Sequence, residues 1–170
     1  MPTINVDGLV FSFQTNMSAQ KYDEWKHYRD VWNREGRQKA IDVVAVNKST
    51  VWLIEVKDFR KIRGEPNHIA GLAQLVAEKV RDSLGGLHDA AKNATISDEK
   101  QLAIKATKAT TKRVVLHLEP HSGTFSKLFP PNLAPSVLQK LKQLVREIDV
   151  RPLVLNIQTT KSAKVPWTVC

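Results

Sequence analysis

The sequence predicts an α/β protein in which a central mixed β-sheet is flanked by helices. Three observations predict it. Residues 40–59, AIDVVAVNKSTVWLIEVKDF, read as two apolar strands joined by a turn. Apolar residues at helical spacing mark stretches on either side of that hairpin, over residues 18–34 and 67–84. A strand, an amphipathic helix and another strand follow at 113–118, 135–148 and 153–157, the order of a right-handed parallel crossover.

Taken in chain order, residues 5–13 form a strand or a short hairpin turning at Asp7-Gly8. A first helix runs over 18–34 and ends at Gly36, its stripe made of Tyr22, Trp25, Tyr28 and Trp32. On that wheel Glu24 borders the stripe beside Tyr28, and Asp23 points to solvent. The hairpin follows. A second helix runs over 67–84 and closes at Gly85-Gly86, with Ile69, Leu72, Ala73, Val76, Val80 and Leu84 inward. Lys79 falls on the edge of that face, either in a site or snorkelling to water, while Gln74 and Glu78 point away. Ser97 caps a further helix whose first turn carries Asp98 and Glu99, the signs that the helix dipole favours. The last helix, over 135–148, buries Val137, Leu138, Leu141, Leu144, Val145 and Ile148 and turns Lys140, Lys142 and Arg146 elsewhere. The tail from Thr159, with Lys161, Lys164 and Trp167, is either loosely attached or docks a partner.

The hairpin has a definite register. With turn-type residues 47–50 as its loop, Val46 faces Val51, Val44 faces Leu53, Asp42 faces Glu55 and Ala40 faces Lys57. Side chains alternate along a strand, so Asp42, Glu55 and Lys57 share one face, opposed Cβ atoms lying roughly 4.5–5.5 Å apart. Ile41, Val43 and Ala45 line one side; Val44, Val46, Val51 and Leu53 line the other. Such two-sided apolar runs belong to a central strand covered on both faces. Two like charges buried there raise at least one pKa or call for a cation. A divalent metal bridging Asp42 and Glu55 answers that need, with Lys57 adding positive charge. The competing reading is a solvated hairpin with a Glu55–Lys57 surface pair.

Asp42, a twelve-residue gap and Glu55-Val56-Lys57 resemble the motif of the PD-(D/E)XK nuclease superfamily, with Ile41 in place of the proline. The resemblance covers residues 17–118. It implies a restriction-endonuclease-like core within one nuclease-like domain over 1–170, extended by a helix and strand over 135–158. It implies metal-dependent hydrolysis of phosphodiester bonds, with DNA the expected polymer and endonucleolytic cleavage the expected mode. Asp42, Glu55 and the Val56 carbonyl are the implied metal ligands, and hard oxygens select Mg²⁺, with Mn²⁺ as a substitute. Lys57 is the implied group on the attacking water. Lys79 on the second helix and Glu24 on the first are further candidates. Arg60, Lys61 and Arg63, in the basic exit after the motif, either hold phosphates or form a solvated charge cluster. The alternative is a catalytically inert nuclease-fold module that binds nucleic acid or a protein.

The chain has 170 residues, and its formal charge of +9 is compatible with a polyanionic partner. Its five histidines and single cysteine, Cys170, show no zinc spacing, and no Gly-rich phosphate loop or G-x-S-x-G elbow occurs. A lone cysteine and a strand-like start predict an intracellular, cytoplasmic protein with no membrane partner. Specificity is expected to be low, or supplied by a homodimer mate or a partner subunit.

Overall fold

A computed structural model of the chain describes residues 1–60, 70–121 and 133–170. Among these residues the fold is α/β, as predicted. It centres on a five-stranded mixed sheet of β3 (Ser18–Lys21), β4 (Val43–Asn47), β5 (Thr50–Asp58), β6 (Thr111–Glu119) and β7 (Leu153–Leu155) in that spatial order. The β3–β4–β5 half is antiparallel, and β5–β6–β7 is parallel. Helices α1 (Leu72–Asn93), α2 (Ser97–Lys108) and α3 (Leu133–Leu144) supply the connections. A three-stranded sheet joins β1 (Thr3–Val6), β2 (Leu9–Phe13) and β8 (Trp167–Val169). The short α4 (Ile157–Ser162) precedes β8 and is capped reciprocally by Asn156 and Thr159.

Strand alternation divides the interior into two cores. Val44, Val46, Val51, Leu53, Val114 and Leu116 pack with Val76, Val80, Leu102 and Leu141 of the helices. Val43, Ala45, Ile54, Val56 and Val115 pack with Val6, Leu9, Phe11, Phe13 and Trp167 of the small sheet. The central strands are therefore covered on both faces, which is why their sequences are apolar almost without interruption. From Val43 onward the hairpin register is the predicted one, Val43↔Ile54, Val44↔Leu53, Val46↔Val51 and Asn47↔Thr50 around the two-residue turn Lys48-Ser49, but the expected pairs Asp42–Glu55 and Ala40–Lys57 are not part of the ladder. Lys48 takes a left-handed φ of 52°. Ile41 departs from the alternation. It lies before β4 and joins the helix-side core, because the ladder starts only at Val43.

Four other expectations are corrected. Residues 18–34 do not form one α-helix. The chain runs as β3, then a 3₁₀ turn over Tyr22–Glu24, then a π-helical turn over Tyr28–Trp32 closed by Asn33 N–H donating to the Tyr28 carbonyl at 2.7 Å. Tyr22, Trp25 and Tyr28 still reach the core, so the apolar spacing is satisfied by a different backbone. Gly85-Gly86 do not close the second helix, which continues to Asn93. They are positions of close approach: a Cβ on Gly86 would lie 2.1 Å from the Tyr22 hydroxyl and 2.9 Å from Trp32 Cδ1. Ser97 is the first residue of α2 and makes no cap; Ile96 precedes it in an extended conformation. The tail is not loosely attached. Strand β8 pairs with β2, and Trp167 is buried edge-on against Trp52 at 5.0 Å. The predicted start of the second helix, with Asn67, His68 and Ile69, lies outside the described residues. Among the described residues no helix is long and apolar enough to cross a membrane.

The glycine pair carries a prediction. Alanine is favoured over glycine inside a helix by about 1 kcal/mol, yet Tyr22 is fully buried and has no room to retreat. Gly86→Ala is expected to destabilise the protein by about 1–2 kcal/mol despite that propensity gain, as measured by urea denaturation. A variant more stable than the parent contradicts the packing described.

Candidate functional site

Three hydrogen bonds place Asp42 just ahead of the β4–β5 ladder. The Tyr22 N–H donates to the Asp42 carbonyl at 2.8 Å, and the neighbouring Ile41 N–H donates to Ser83 Oγ of α1 at 3.0 Å. The Asp42 carboxylate then accepts the Val56 N–H through Oδ2 at 2.7 Å. The side chain thus takes the place of a further ladder partner. The amide and carbonyl of a strand residue point to the same side, so the Val56 carbonyl is directed toward Asp42 as well.

Glu55 stands on the same strand face, turned toward α1, and is fully buried. Lys79 of α1 reaches it with Nζ 2.6 Å from Oε1, and Lys57 lies 3.1 Å from the same oxygen. Oε2 is buried and has no hydrogen-bond partner among the described residues. Burial first, and the Asp42 charge second, push the Glu55 carboxyl up to about 7, against the pull of the two lysines. Burial also works against the Lys79 ammonium, but the charge and hydrogen bond of Glu55, joined by Asp42 and Asp23, outweigh it and raise its pKa. Asp42, Glu55, Lys57 and Lys79 therefore meet between the sheet and α1, four of the residues singled out from sequence.

Glu24 does not join them. It is exposed and accepts from Lys21 Nζ at 2.7 Å on the surface. Its neighbour Asp23 turns inward instead, because a 3₁₀ turn does not follow the helical wheel that pointed Asp23 to solvent. Burial, then the Asp42 charge, raise the Asp23 carboxyl above its usual range, and its Oδ1 is buried without a partner among the described residues. No helical periodicity could have found it; an acid one residue from the expected position was the only signal. Gln74 and Glu78 face away, as predicted, and bond to each other at 3.2 Å. Arg60 folds back on Asp58 with Nε at 2.9 Å from Oδ1 and Nη2 at 2.7 Å from Oδ2. Lys61 and Arg63 lie outside the described residues.

The donor set can be tested for a hard divalent cation. Among the described residues no three His, Cys, Asp or Glu side chains converge closely enough to enclose a metal ion. Asp42 and Glu55 instead form an open pair, supplemented by the Val56 carbonyl, with Asp23 electrostatically coupled to Asp42. The buried, unpartnered Glu55 Oε2 and Asp23 Oδ1 are oxygens without a donor, and a buried acceptor left so is costly. An open, all-oxygen set suits Mg²⁺, which keeps several of its waters. The residues fit.

No family model and no solved structure matches this chain. It is 30% identical over 208 aligned positions to the cysteine–tRNA ligase of Neisseria meningitidis serogroup A / serotype 4A (strain DSM 15465 / Z2491). That alignment takes in 99% of this chain and 30% of the ligase, so the chain spans under a third of the length of the curated relative it matches.

Glu55 makes stability pH-dependent in a definite direction. Its carboxyl titrates near 7 in the fold against 4.5 as its ordinary value, so the folded chain holds a proton that the unfolded chain releases between those values. Stability is fully present below the lower value and falls as pH rises through the upper one, by up to about 3 kcal/mol. Urea denaturation in EDTA, from about pH 4 to about pH 8, reads this as a difference between the parent and Glu55→Gln. The parent is expected to lose ground to the variant as pH rises, and a pH-independent difference contradicts the assignment.

Proposed function

We propose that the protein is a Mg²⁺-dependent nuclease of the PD-(D/E)XK type, with a restriction-endonuclease-like core, hydrolysing phosphodiester bonds of nucleic acid. The observation that carries this reading is the meeting of Asp42, Glu55, Lys57 and Lys79 at one point between the sheet and α1. Asp42, Glu55 and the Val56 carbonyl would hold the cation, and Mn²⁺ would serve in its place. Bound there, the cation supplies a more acidic water and offsets charge on the scissile phosphate.

The chain's own residues supply the rest. Lys57 is the more exposed of the two lysines on Glu55, its side chain 30% exposed against 19% for Lys79. It is therefore placed to donate to the attacking water and to the phosphate oxygens as charge builds on them. Lys79 holds the buried Glu55 carboxylate in its rotamer and compensates its charge. Asp23 adds negative charge beside Asp42 and strengthens the site's demand for a cation. Arg60, Lys61 and Arg63 follow the motif strand and would bind flanking phosphates, which positions the polymer without reading its sequence. Specificity is then low, or comes from a homodimer mate or partner subunit.

DNA is the first polymer to test. A second reading, in which the engaged polymer is tRNA, has one observation in its favour: nearly the whole chain aligns with part of a protein named as a cysteine–tRNA ligase.

Supercoiled plasmid, linear duplex, single-stranded DNA and tRNA, each titrated with Mg²⁺ or Mn²⁺, test the proposal. Cleavage abolished by EDTA is expected, and Lys57→Ala is expected to reduce its rate by about 10²–10³-fold. Absence of metal-dependent cleavage on every polymer contradicts it. Salt-sensitive binding without cleavage, unaffected by EDTA and by Asp42→Ala, would identify the inert binding module instead.

A further inference from the structure

The segment over 26–39, between β3 and the approach to Asp42, carries Lys26, Arg29, Arg34, Arg37 and Lys39 against Asp30 and Glu35, five basic residues to two acidic. It includes the π-helical turn over Tyr28–Trp32, an uncommon backbone found often at functional sites. Just beyond that turn is a cleft of about 350 Å³ lined by Val31, Trp32, Arg34, Glu35, Arg37 and Gln38.

The cleft has a fixed aromatic wall and exposed cations. Trp32 lies across Gly85-Gly86 of α1, and its indole N–H donates to the Asp82 carbonyl at 3.0 Å, which fixes the plane of the ring. Val31 beside it is 53% exposed, a large apolar side chain left in water at the rim. Arg37 is 82% exposed on its side chain, and Glu35 approaches it only to 3.7 Å. Arg34 makes no ion pair among the described residues.

The cleft also adjoins the site. Gln38, one of its walls, accepts the Tyr28 hydroxyl on its carbonyl at 3.1 Å and donates its N–H to Asn33 at 2.9 Å. The Tyr28 hydroxyl in turn lies within the field of Lys79 and Asp23. Lys39, one residue on, donates its N–H to Asp82 at 2.8 Å and pairs with Glu78, both of α1. One strap of chain thus carries the cleft on its outer side and runs along α1, the helix that bears Lys79, on its inner side.

A fixed indole, an exposed aliphatic rim, the Arg34 guanidinium with no ion pair among the described residues and the Arg37 guanidinium in a long, exposed pair make a combination suited to a base and its phosphates. Base–aromatic stacking tolerates any sequence, because every base has a π-face, but the base must be unpaired to reach the ring. We propose that this cleft holds an unpaired nucleobase of single-stranded nucleic acid against Trp32, with Arg34 and Arg37 on the adjoining phosphates. The inference rests on the nuclease reading of the neighbouring site and adds to it a preference for a single-stranded or frayed segment beside the point of cleavage.

Binding in EDTA tests this separately from catalysis. Fluorescence anisotropy compares labelled strands of equal length: single-stranded DNA, single-stranded RNA, duplex DNA and a DNA strand with abasic sites in place of its bases. The single strands are expected to bind about tenfold more tightly than the abasic strand of equal charge. Arg34→Glu with Arg37→Glu is expected to weaken every strand by about tenfold, and Trp32→Leu to remove the gap between normal and abasic strands. If Trp32→Leu does not fold by circular dichroism, the abasic comparison in the parent and the arginine pair still decide. Equal affinity for normal and abasic strands, duplex bound as tightly as single strand, or no effect of the arginine pair overturns the proposal. Whichever of DNA or RNA binds better names the source of the base. Cleavage plays no part in these measurements, so their failure leaves the nuclease reading standing, and a protein that cuts nothing can still pass them.

Discussion

The burial of the Glu55 carboxylate between the central sheet and α1 is the constraint on which the rest of the structure depends. An isolated carboxylate in such a place is strongly disfavoured, and a pairing lysine offsets desolvation only when its geometry is good. Both Lys57 and Lys79 approach the same oxygen, Oε1, which leaves Oε2 buried without a donor among the described residues. Burial first and the charge of Asp42 second raise both Glu55 and Asp23, and the neighbouring ammonium groups do not cancel that rise. A divalent cation is the simplest remedy, and it would bring the site's charge and its empty lone pairs into balance together.

The surrounding architecture serves to hold that cluster. Helix α1 contributes Lys79 to Glu55, Ser83 to the backbone at Ile41 and the Asp82 carbonyl to Trp32, so one element positions the motif from one side. Its Gly85-Gly86 step lets Tyr22 and Trp32 approach the helix closely. Tyr22 is also the residue whose N–H fixes the Asp42 carbonyl. From the other face, the β1–β2–β8 sheet covers Val43, Ile54 and Val56 and keeps the motif strands dry. Loss of packing far from the acids, at a glycine or in β8, would therefore reach them through the backbone.

Much of this was legible in the sequence where one strong local rule acted alone. Turn residues 47–50 between apolar runs set the ladder, and strand alternation put Glu55 and Lys57 on one face, while Asp42, just ahead of the ladder, is brought to them by its bond with the Val56 N–H. Lys79 was legible because α1 is a regular helix with a clear inward edge. Reading failed where two structures satisfy the same pattern. The spacing of Tyr22, Trp25, Tyr28 and Trp32 suits an α-helix, yet a 3₁₀ turn followed by a π turn also sends three of them to the core, and that exchanged Asp23 for Glu24. Gly85-Gly86 read as a helix stop, but a glycine pair also serves where an aromatic ring must pass close to the helix. Strand β8 has three residues in a Lys- and Pro-flanked tail, too short to show alternation. Only its long-range pairing with β2 makes it a strand.

The most direct test of the central claim is a crystal structure of the protein soaked in Mn²⁺, read by anomalous scattering. A peak is expected between the Asp42 and Glu55 carboxylates, in contact with Glu55 Oε2, and no such peak in Glu55→Gln. A crystal with no peak there, in which Lys57 and Lys79 remain the sole partners of Glu55, would contradict it.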